Sequence, residues 1–497
     1  MKLLIRADAG VDVGTGHVMR ALALAQAWRR RGGEVRLLAA GLTRHLQTWL
    51  TDHGVRVEFV RAEPGSDEDA DATKASAERW GADWVVLDGY RFGAPYQERL
   101  GSDAFARLVV DDYGHAERYA AEIVLNQNLY ADPADYDGRA GDARLLMGPS
   151  FALLREEFWP WRSWKRPPPE KPSRVLLTMG GTDPRDATGQ VLEVLRSRPQ
   201  LEIVAVVGGA NPRTYAERAA RPRVRVKRNV RTMPRHMCWA HLGFAAGGTT
   251  ALELLFMQLP GAYAVLADNQ VRVVDSLERL GLGLSLGSAD PLDVAVAERA
   301  LERLLGDAEF YRAALKTSAA AVDGWGVERV IDAMLGRSWE LRPATAEDAE
   351  VLWRWANDPV TRAASLSPGA IPWSDHLQWL AAKLEDPNAY IWLAVGERDQ
   401  PLGQVRFDRS GSEAVVSVGL DPNRRGAGLG SRLIQRSTER LMRTEGVALV
   451  RAYIKPDNLA SRRAFARAGY KEVGEAVVKG QTVVEMVYSA KEVDCEV

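Results

Sequence analysis

The residues Gly14-Thr15-Gly16-His17 combine a glycine turn with a histidine, a combination that can bind an anion and activate water. They follow an apolar run at residues 3–5 that predicts a strand, and they precede an Ala- and Leu-rich helical pattern. Glycine lets the backbone approach a ligand, and the free N–H groups of a first helical turn point towards bound anions. Imidazole titrates near neutral pH, so His17 can accept a proton from water beside a phosphate ester. A plain turn with a helix-start histidine is the alternative, and glycine spacing alone does not exclude it.

A second candidate anion site is Gly247-Gly248-Thr249, which again follows an apolar run and opens a helical pattern. Glu253 then stands in the first helical turn, where a carboxylate can accept hydrogen bonds from both hydroxyls of a ribose. The alternative is a capping box, in which Thr250 and Glu253 bond only the helix start. Asn269 and Gln270 end the next predicted strand, so we expect them to face the same crevice.

A third glycine pair, Gly180-Gly181, follows the predicted strand at 174–179. Asp183 and Pro184 come next and predict a helix N-cap followed by its first residue. Acidic residues also end several predicted strands of the first half of the chain: Asp8, Asp88, Asp111 and Asp112. Ligands bind at such strand ends in open α/β sheets, although for the last two we favour turn capping over metal binding.

The three glycine turns can contribute to a common site only if they follow parallel strands whose carboxyl ends meet. The apolar pattern of the sequence predicts such strands. The runs are continuous rather than alternating, which is typical of buried parallel strands; only residues 55–60 alternate and indicate a sheet edge. The predicted strands are residues 3–5, 34–40, 55–60, 84–88, 108–112, 174–179, 201–207, 224–228, 243–246 and 262–267. The proline- and tryptophan-rich segment 158–172 predicts a stiff connection. We therefore predict an α/β fold with two Rossmann-like lobes, 1–160 and 161–336, before a domain at 337–497.

Composition limits the partners of these lobes. The chain has 497 residues and a formal net charge of −1, so no basic field favours nucleic acid or an anionic membrane. No apolar run is long enough to span a bilayer, and the first residues do not form a secretion signal. Cys238 and Cys495 lie far apart and form no metal or redox pattern. We expect a cytoplasmic protein without a required metal; the sequence leaves its oligomeric state open.

The first two lobes resemble the UDP-sugar hydrolases of pseudaminic acid biosynthesis, which act on UDP-2,4-diacetamido-2,4,6-trideoxy-β-L-altropyranose and look like GT-B glycosyltransferases. The resemblance covers roughly residues 1–335 and rests on motifs in the family's order. These motifs are Ile5–Asp8 with Gly14–Arg20, Leu87–Tyr90, Asp111–Tyr113, Leu153–Phe158, Met179–Pro184, Gly247–Glu253 and Asn269-Gln270.

The resemblance implies a role for each candidate residue. His17 would be the general base that deprotonates the attacking water, and UDP leaves well enough that no strong acid or metal is required. Glu253 would hold the uridine ribose, while Asn269 and Gln270 would contact sugar or phosphate. The remaining substrate-binding candidates are Gly14, Thr15, Gly16, Tyr90, Arg155, Gly180, Gly248 and Thr249. For Tyr90 and Arg155, a packed tyrosine and a structural ion pair are the alternatives.

The C-terminal third changes to predicted antiparallel strands at 391–396, 402–408 and 413–420, followed by the loop Arg425-x-x-Gly428-x-Gly430 and a long helix. This loop resembles the pyrophosphate loop of GNAT acetyltransferases, and the stretch 455–470 resembles that family's ending. The resemblance implies an α+β GNAT domain that uses acetyl-CoA as co-substrate. The residues it assigns to acetyl-CoA are Leu420, Arg425, Gly426, Gly428, Gly430, Ser431 and Asn458.

The chain departs from the acetyltransferase pattern at one position. Phe465 stands where many relatives have a tyrosine that serves as general acid, so Tyr453 or no side chain would serve here. His376 lies in a segment similar to acetyltransferases of the same pathway and is a candidate near the acceptor. A histidine on a helix surface is the interpretation we favour.

Three functions compete. The first is a bifunctional enzyme that acetylates the 4-amino group of UDP-4-amino-4,6-dideoxy-β-L-AltNAc and then hydrolyses UDP from the diacetamido product. The second is a GT-B glycosyltransferase for an amino-sugar nucleotide, fused to an acetyltransferase. The third is a UDP-sugar sensing module without turnover. His17 in its glycine turn favours an enzyme over the sensing module, and the absence of a membrane-facing apolar or basic patch disfavours a MurG-like transferase.

Overall fold

The computed structural model describes residues 1–10, 14–209, 211–215, 223–426, 428–490 and 495. Val13, before the first glycine turn, and Ala427, within the predicted pyrophosphate loop, lie outside these residues. The described chain forms two compact units. The first contains Met1–Trp161, Arg166–Met334 and Cys495, and the second contains Arg162–Lys165 and the residues from Leu335 to the last strand.

The first unit begins with a parallel seven-stranded sheet. Its strands are β1 (Lys2–Ala7), β2 (Glu34–Ala39), β3 (Arg56–Phe59), β4 (Trp84–Asp88), β5 (Ala106–Val110), β6 (Ile123–Asn126) and β7 (Arg144–Met147). The helices between them are α1 (Gly16–Arg30), α2 (Arg44–Asp52), α3 (Asp67–Trp80) and α4 (Ala94–Leu100). The strand order is β3-β2-β1-β4-β5-β6-β7 and every pairing is parallel. The alternating segment at 55–60 is indeed the edge strand, β3.

A second parallel sheet of six strands follows in the same unit. Its strands are β8 (Arg174–Thr178), β9 (Glu202–Val207), β10 (Val224–Arg228), β11 (Leu242–Ala246), β12 (Gly261–Val265) and β13 (Leu284–Ser288). The helices are α5 (Ala187–Arg196), α6 (Met233–Trp239), α7 (Thr249–Phe256), α8 (Val271–Arg279), α9 (Val294–Gly306), α10 (Ala308–Ala321) and α11 (Gly326–Met334). The strand order is β10-β9-β8-β11-β12-β13, so the first strand along the chain, β8, is an inner strand of the sheet, as β1 is in the first sheet. This order confirms the predicted pair of Rossmann-like lobes.

Two packing features join these lobes. α11 follows the second sheet in the chain but packs on α1 of the first lobe, where Arg31 donates to Asp332 at 3.0 Å. The segment 158–172 was predicted to be a stiff connection, and at its start Glu156–Trp161 forms a 3₁₀ turn that contains Pro160. Phe158, in that turn, is buried and meets Phe256 edge to face at 6.0 Å. The start of the connection is therefore part of the core.

The second unit is built on a seven-stranded mixed sheet. Its strands are β14 (Glu340–Pro343), β15 (Ala389–Val395), β16 (Pro401–Ser410), β17 (Glu413–Leu420), β18 (Leu449–Ile454), β19 (Lys471–Val478) and β20 (Gln481–Ser489). Its helices are α12 (Ala349–Asn357), α13 (Pro359–Ala364), α14 (Trp373–Glu385), α15 (Leu429–Glu445) and α16 (Leu459–Arg467). The order is β14-β15-β16-β17-β18-β20-β19, and the predicted antiparallel strands are present.

Short 3₁₀ turns complete the described elements. They are Pro133–Tyr136, Pro149–Phe151, Asp268–Gln270, Ala346–Asp348, Glu397–Asp399 and Pro422–Arg424. None of the helices within the described ranges has the length and apolar character needed to cross a bilayer. In the same part of the chain, no group of His, Cys, Asp or Glu side chains is arranged to hold a metal ion.

The two cysteines correct an expectation. Cys238 and Cys495 are paired as a disulfide with Cα atoms 5.3 Å apart, although 257 positions separate them in sequence. The sequence offered no spacing motif because the partners come from a helix of the second lobe and the end of the chain. The expectation of a cytoplasmic protein therefore draws no support from the cysteine pattern.

Candidate functional site

A cavity of about 980 Å³ lies in the first unit, where the carboxyl ends of the two parallel sheets meet. Strand ends and the glycine turns that follow them form its walls, as expected for open α/β sheets. All residues predicted to bind the substrate line this cavity: Gly14, Thr15, Gly16, His17, Tyr90, Arg155, Gly180, Gly248, Thr249, Glu253, Asn269 and Gln270. Residues scattered over most of the first unit's sequence therefore share one site.

The glycine turns approach one another across the cavity. Gly14 has a φ of +76° and exchanges two backbone hydrogen bonds with Gly10, which sets the turn before α1. Thr15 is the N-cap of α1, and its side chain occupies the space that a Cβ on Gly181 would need, 2.5 Å away. The helix starts of α1 and α7 thus face a common space with free N–H groups, the geometry that suits a diphosphate.

His17 lies in the first turn of α1 at the cavity wall and is only 5% exposed. Its ring meets the ring of Tyr90 edge to face, with centroids 5.0 Å apart. Its Nδ1 is buried and has no hydrogen-bond partner among the described residues. Burial lowers the pKa of His17, opposed by the Asp88 carboxylate and assisted by the nearby Arg20. The imidazole is thus kept neutral and available as a base.

Behind His17 lies a buried group of charges that the sequence did not indicate. Arg20, one turn further along α1, donates from Nη2 and Nε to both carboxylate oxygens of Asp88, at 2.7 and 3.0 Å. Its Nη1 donates to Asp112 at 2.6 Å. Tyr90 donates its hydroxyl hydrogen to the other oxygen of Asp112 at 2.6 Å and accepts from Asn269 at 2.8 Å. This last hydrogen bond connects the two lobes at the cavity.

Asp111, the neighbour of Asp112, has a different role. It accepts from the backbone N–H of Gly114 at 2.6 Å and from His115 Nδ1 at 2.6 Å, and it also accepts from Tyr136. These partners and the adjacent histidine hold the pKa of Asp111 far below its usual range. The turn-capping interpretation describes Asp111, whereas Asp112 is paired with Arg20 instead.

Glu253 does not form the capping box considered from the sequence. α7 has Gly248 as its N-cap and no side-chain hydrogen bond at its start. The carboxylate instead accepts from Arg155 Nη1 at 2.9 Å, and Arg155 also donates to Glu157 at 2.7 Å. Burial raises the pKa of Glu253 and Arg155 opposes that rise. Arg155 therefore forms an ion pair between the lobes, the alternative to direct ligand contact.

Two predictions about neighbouring residues change in detail. Asp183 was expected to be the N-cap and Pro184 the first helical residue, but α5 begins at Ala187 with Asp186 as its N-cap. Asp183 still accepts from the N–H groups of Ala187 and Thr188, at 2.8 and 3.0 Å. Its positive φ of 43° tightens the turn, so the helix starts later than proline placement indicated.

The sequence also left residues of the cavity unassigned. Trp49 of α2 lines it, and its ring lies 5.7 Å from the guanidinium carbon of Arg155. Asn229, Val230 and Met233, which follow β10, line it from the second lobe. In the sequence, Asn229, Val230 and Met233 are recognisable only because they follow a predicted strand, and Trp49 only because it stands four residues after His45 on α2. Neither pattern predicts which ligand would bind. Together they add an apolar and aromatic wall on the Glu253 side of the site.

The second unit places the predicted pyrophosphate loop at the start of α15. Gly426 and Gly428 have φ values of +81° and +79°, and Gly428 is the N-cap of the helix. A Cβ on Gly430 would approach Leu420 to 3.2 Å, whereas no atom lies within 4 Å of one on Gly428. Ser431 donates back to the Gly428 carbonyl at 3.1 Å. The loop therefore presents its backbone to open space, as a diphosphate cradle requires.

β17 and β18 separate next to this loop. They pair in parallel only over Glu413–Val415 and Leu449–Arg451, while both strands continue beyond that point. Leu420 ends the separated part of β17, and Tyr453 lies in the separated part of β18. The unpaired backbone edges form a wedge beside the loop, and the backbone N–H and C=O groups there, together with the loop, are of the kind that acetyl-CoA binding requires.

Other residues predicted to contact acetyl-CoA have protein partners. Arg425 donates to Asp358 at 2.5 Å and to Thr361 at 3.1 Å, and Asn458 is the N-cap of α16, accepting from Ser461 at 3.1 Å. His376 is 3% exposed and hydrogen-bonded to the Ala349 carbonyl at 2.9 Å. The favoured interpretation of a surface histidine is therefore wrong.

Phe465 is also a core residue. It is 3% exposed, and its ring meets that of Tyr470 edge to face at 4.9 Å. Tyr453 is partly buried on β18, at the wedge between the separated strands. That Tyr453 or no side chain serves as the general acid stays a prediction.

Comparison with known proteins adds family evidence. Residues 339–471 match the acetyltransferase (GNAT) domain. The chain is 25% identical to the UDP-2,4-diacetamido-2,4,6-trideoxy-β-L-altropyranose hydrolase of Campylobacter jejuni, over 43% of this chain and 71% of that one. It is 22% identical to the spore coat polysaccharide biosynthesis protein SpsG of Bacillus subtilis, over 66% and 96% of the two chains.

A third relative matches a quarter of the chain. The L-2,4-diaminobutyric acid acetyltransferase of Streptomyces coelicolor is 31% identical over 25% of this chain and 69% of its own length. The glycine loop at the start of α15 and the separated strands β17 and β18 lie in the unit that carries the domain match. Through this domain the chain belongs to the GNAT acetyltransferase family.

Proposed function

We propose that the chain performs two consecutive reactions on one amino-sugar nucleotide. The GNAT domain acetylates the 4-amino group of UDP-4-amino-4,6-dideoxy-β-L-AltNAc with acetyl-CoA. The first unit then hydrolyses UDP from UDP-2,4-diacetamido-2,4,6-trideoxy-β-L-altrose. The similarity to the Campylobacter jejuni hydrolase and to a spore coat polysaccharide biosynthesis protein supports a sugar-nucleotide substrate.

One observation carries the hydrolase half: a buried histidine lies at a helix start in a cavity that a second helix start and Glu253 also line. His17 takes a proton from water as the water oxygen attacks the anomeric carbon. The bond from that carbon to the diphosphate oxygen breaks, and UDP leaves with the bonding electrons. N–H groups near Gly14–Gly16 and Gly247–Thr249 stabilise the charge that develops on the diphosphate.

The other cavity residues hold the substrate in this proposal. Glu253 accepts from the ribose hydroxyls, with Arg155 keeping the carboxylate ionised. Asn269 and Gln270 contact sugar or phosphate, and Tyr90 orders the wall beside His17. Gln270 already accepts from the N–H of Leu266 at 2.9 Å, which fixes its side chain at the strand end. The cavity volume of about 980 Å³ accommodates a nucleotide sugar.

The acetyltransferase half rests on the glycine loop and the strand wedge. N–H groups at the start of α15 bind the diphosphate of acetyl-CoA, and the separated strands receive its arm. The amine nitrogen attacks the thioester carbonyl and loses a proton, the carbon–sulfur bond breaks, and the sulfur leaves as thiolate, which takes up a proton to give the thiol. Arg425 shapes the loop through Asp358.

Product analysis tests both halves. With acetyl-CoA, mass spectrometry of a panel of UDP-amino sugars should find UDP and a free diacetamido sugar. In heavy-oxygen water the label should enter the sugar and not UDP, because the anomeric bond breaks. His17→Leu should keep UDP affinity and lose roughly 10²–10⁴-fold in hydrolysis rate. Near-normal turnover in this variant would exclude His17 as the base, and UDP release only with a glycan acceptor would identify a glycosyltransferase.

A further inference from the structure

Arg20, Asp88 and Asp112 form a buried cluster of three charges against the proposed base. Arg20 is 3% exposed, Asp88 1% and Asp112 7%, so water screens their charges little. Each of the three lines the same cavity as His17. Arg20 is one helical turn from His17 on α1, whereas the two carboxylates stand at the ends of the neighbouring strands β4 and β5. The cluster thus contains one positive and two negative groups.

His17 makes no hydrogen bond to either carboxylate. Both oxygens of Asp88 accept from Arg20, and those of Asp112 accept from Arg20 and Tyr90. The buried Nδ1 of His17 has no partner among the described residues. The carboxylates therefore act on the imidazole through their charge across a space of low dielectric constant, and not by orienting its proton.

We propose that Asp88 and Asp112 are positioning residues that make His17 basic enough to take a proton, because their cluster with Arg20 carries one excess negative charge. With neutral His17 the buried group has a net charge of −1. When His17 takes the proton from water, the group becomes neutral. The transition state of the proposed hydrolysis, on which this inference rests, is stabilised in proportion to that positive charge.

Asp8, after β1, is a further charged group near His17, and its carboxylate also raises the pKa of His17. Its partner Arg6, at 2.7 Å, is shared with Asp69, so this group adds to the negative side of the balance and is the same in every variant below. The Tyr90 phenol stays neutral because burial raises its pKa above the usual range. The remaining titratable side chains around the cavity are those of His45, Arg61, Arg91, Arg155, Asp183 and Glu253. Arg155 and Glu253 neutralise one another on the opposite wall.

NMR titration of the His17 ring measures the effect without any substrate. The chain has seven histidines, and His17→Leu assigns the resonance by its loss. Asp88→Asn should lower the pKa of His17 by about one unit or more, because it removes the excess negative charge. Arg20→Gln combined with Asp88→Asn restores a net charge of −1 and should return the pKa towards the wild-type value. Arg20→Lys keeps the charge and should leave the pKa nearly unchanged.

Recovery in the double variant is the decisive result, since a purely structural role predicts that two substitutions disturb the site more than one. A pKa in the double variant as low as in Asp88→Asn would overturn the proposal. Should Asp88→Asn fail to fold, Asp112→Asn makes the same change in charge, and an unshifted His17 pKa there would equally overturn it.

Rate measurements keep this inference separate from the proposed function. If wild-type protein releases UDP, the acidic limb of kcat/KM should move with the NMR pKa in each variant. A base acts while neutral, so the lower pKa of Asp88→Asn extends activity to lower pH while reducing its maximum. Absence of UDP release from every sugar nucleotide, together with the expected NMR shifts, would refute hydrolysis and leave the charge coupling established.

Discussion

The carboxylate of Glu253 connects the two lobes of the first unit through a single arginine. Arg155 comes from the loop after β7, and it holds Glu253 on one side and Glu157 on the other. A buried carboxylate without such a partner would take up a proton, because desolvation already raises its pKa. The ion pair therefore opposes the effect of burial on this carboxylate at the cavity wall, where ribose hydroxyls are expected to bind.

We predict that Glu253→Gln lowers UDP affinity by roughly tenfold to a hundredfold, the value of a hydrogen bond to a charged group. The preference for UDP over 2′-deoxy-UDP should shrink in parallel, which calorimetric titration can measure. Glu157→Gln is the matched control, because it also removes a carboxylate from Arg155 but lies outside the cavity lining. If both variants lose UDP affinity equally, Glu253 serves only the ion pair with Arg155 and does not contact the ribose.

Phe465 provides a second residue-scale test. Its ring is 3% exposed and packs on Tyr470, so a hydroxyl added there enters the core. We predict that Phe465→Tyr destabilises the second unit by roughly 1–3 kcal/mol in denaturant unfolding and does not raise the acetyl-transfer rate. Tyr453→Phe is the companion variant and should slow transfer if its phenol protonates the thiolate. A faster, fully stable Phe465→Tyr enzyme would show that a missing acid limits the reaction.

At the scale of elements, continuous apolar runs identified most parallel strands because burial on both faces removes alternation. The strands β6, β7 and β13 were not predicted. Glycine turns were located correctly because few other residues suit a positive φ, as at Gly14 and Gly180.

Side-chain ion pairs between segments that are distant in the chain could not be predicted from the sequence. The cluster of Arg20, Asp88 and Asp112 draws on α1 and two strand ends, and no local pattern shows which arginine meets which acid. The same is true of Arg155 with Glu253, for which the local capping-box pattern pointed to the wrong partner. The grouping of the candidate residues at the strand ends was predictable from the sequence, whereas their charge partners required the fold.

The start of α15 allows an element-scale prediction. Gly428→Val should abolish acetyl-CoA binding, because a branched side chain at a φ of +79° both distorts the loop and fills the space facing the helix start. UDP-sugar hydrolysis should remain. Gly411→Val is the matched control: this glycine also has a positive φ, +61°, and open surroundings, but it lies in the turn between β16 and β17. If calorimetry shows a comparable loss of acetyl-CoA binding in both variants, backbone strain causes the effect, and not the filling of the space for the diphosphate.

At the scale of the whole molecule, two catalytic folds in one chain are advantageous when one makes the substrate of the other, because fusion raises the local concentration of the intermediate. Chemistry gives the order in the proposed function. Hydrolysis removes the UDP group by which both units can recognise the sugar, so acetylation must come first.

We therefore predict that the His17→Leu protein, given the 4-amino sugar nucleotide and acetyl-CoA, accumulates the UDP-diacetamido sugar. The intact protein should convert the same mixture to UDP and free diacetamido sugar, and should release UDP slowly when acetyl-CoA is omitted. The Gly428→Val protein is the complementary control: it should hydrolyse diacetamido substrate supplied directly but not process the amino sugar efficiently. Chromatography of the nucleotides over time distinguishes these patterns. Rapid UDP release from the unacetylated sugar, independent of acetyl-CoA, would reverse the order, since the cavity around His17 would then accept a charged ammonium group as readily as an acetamido group.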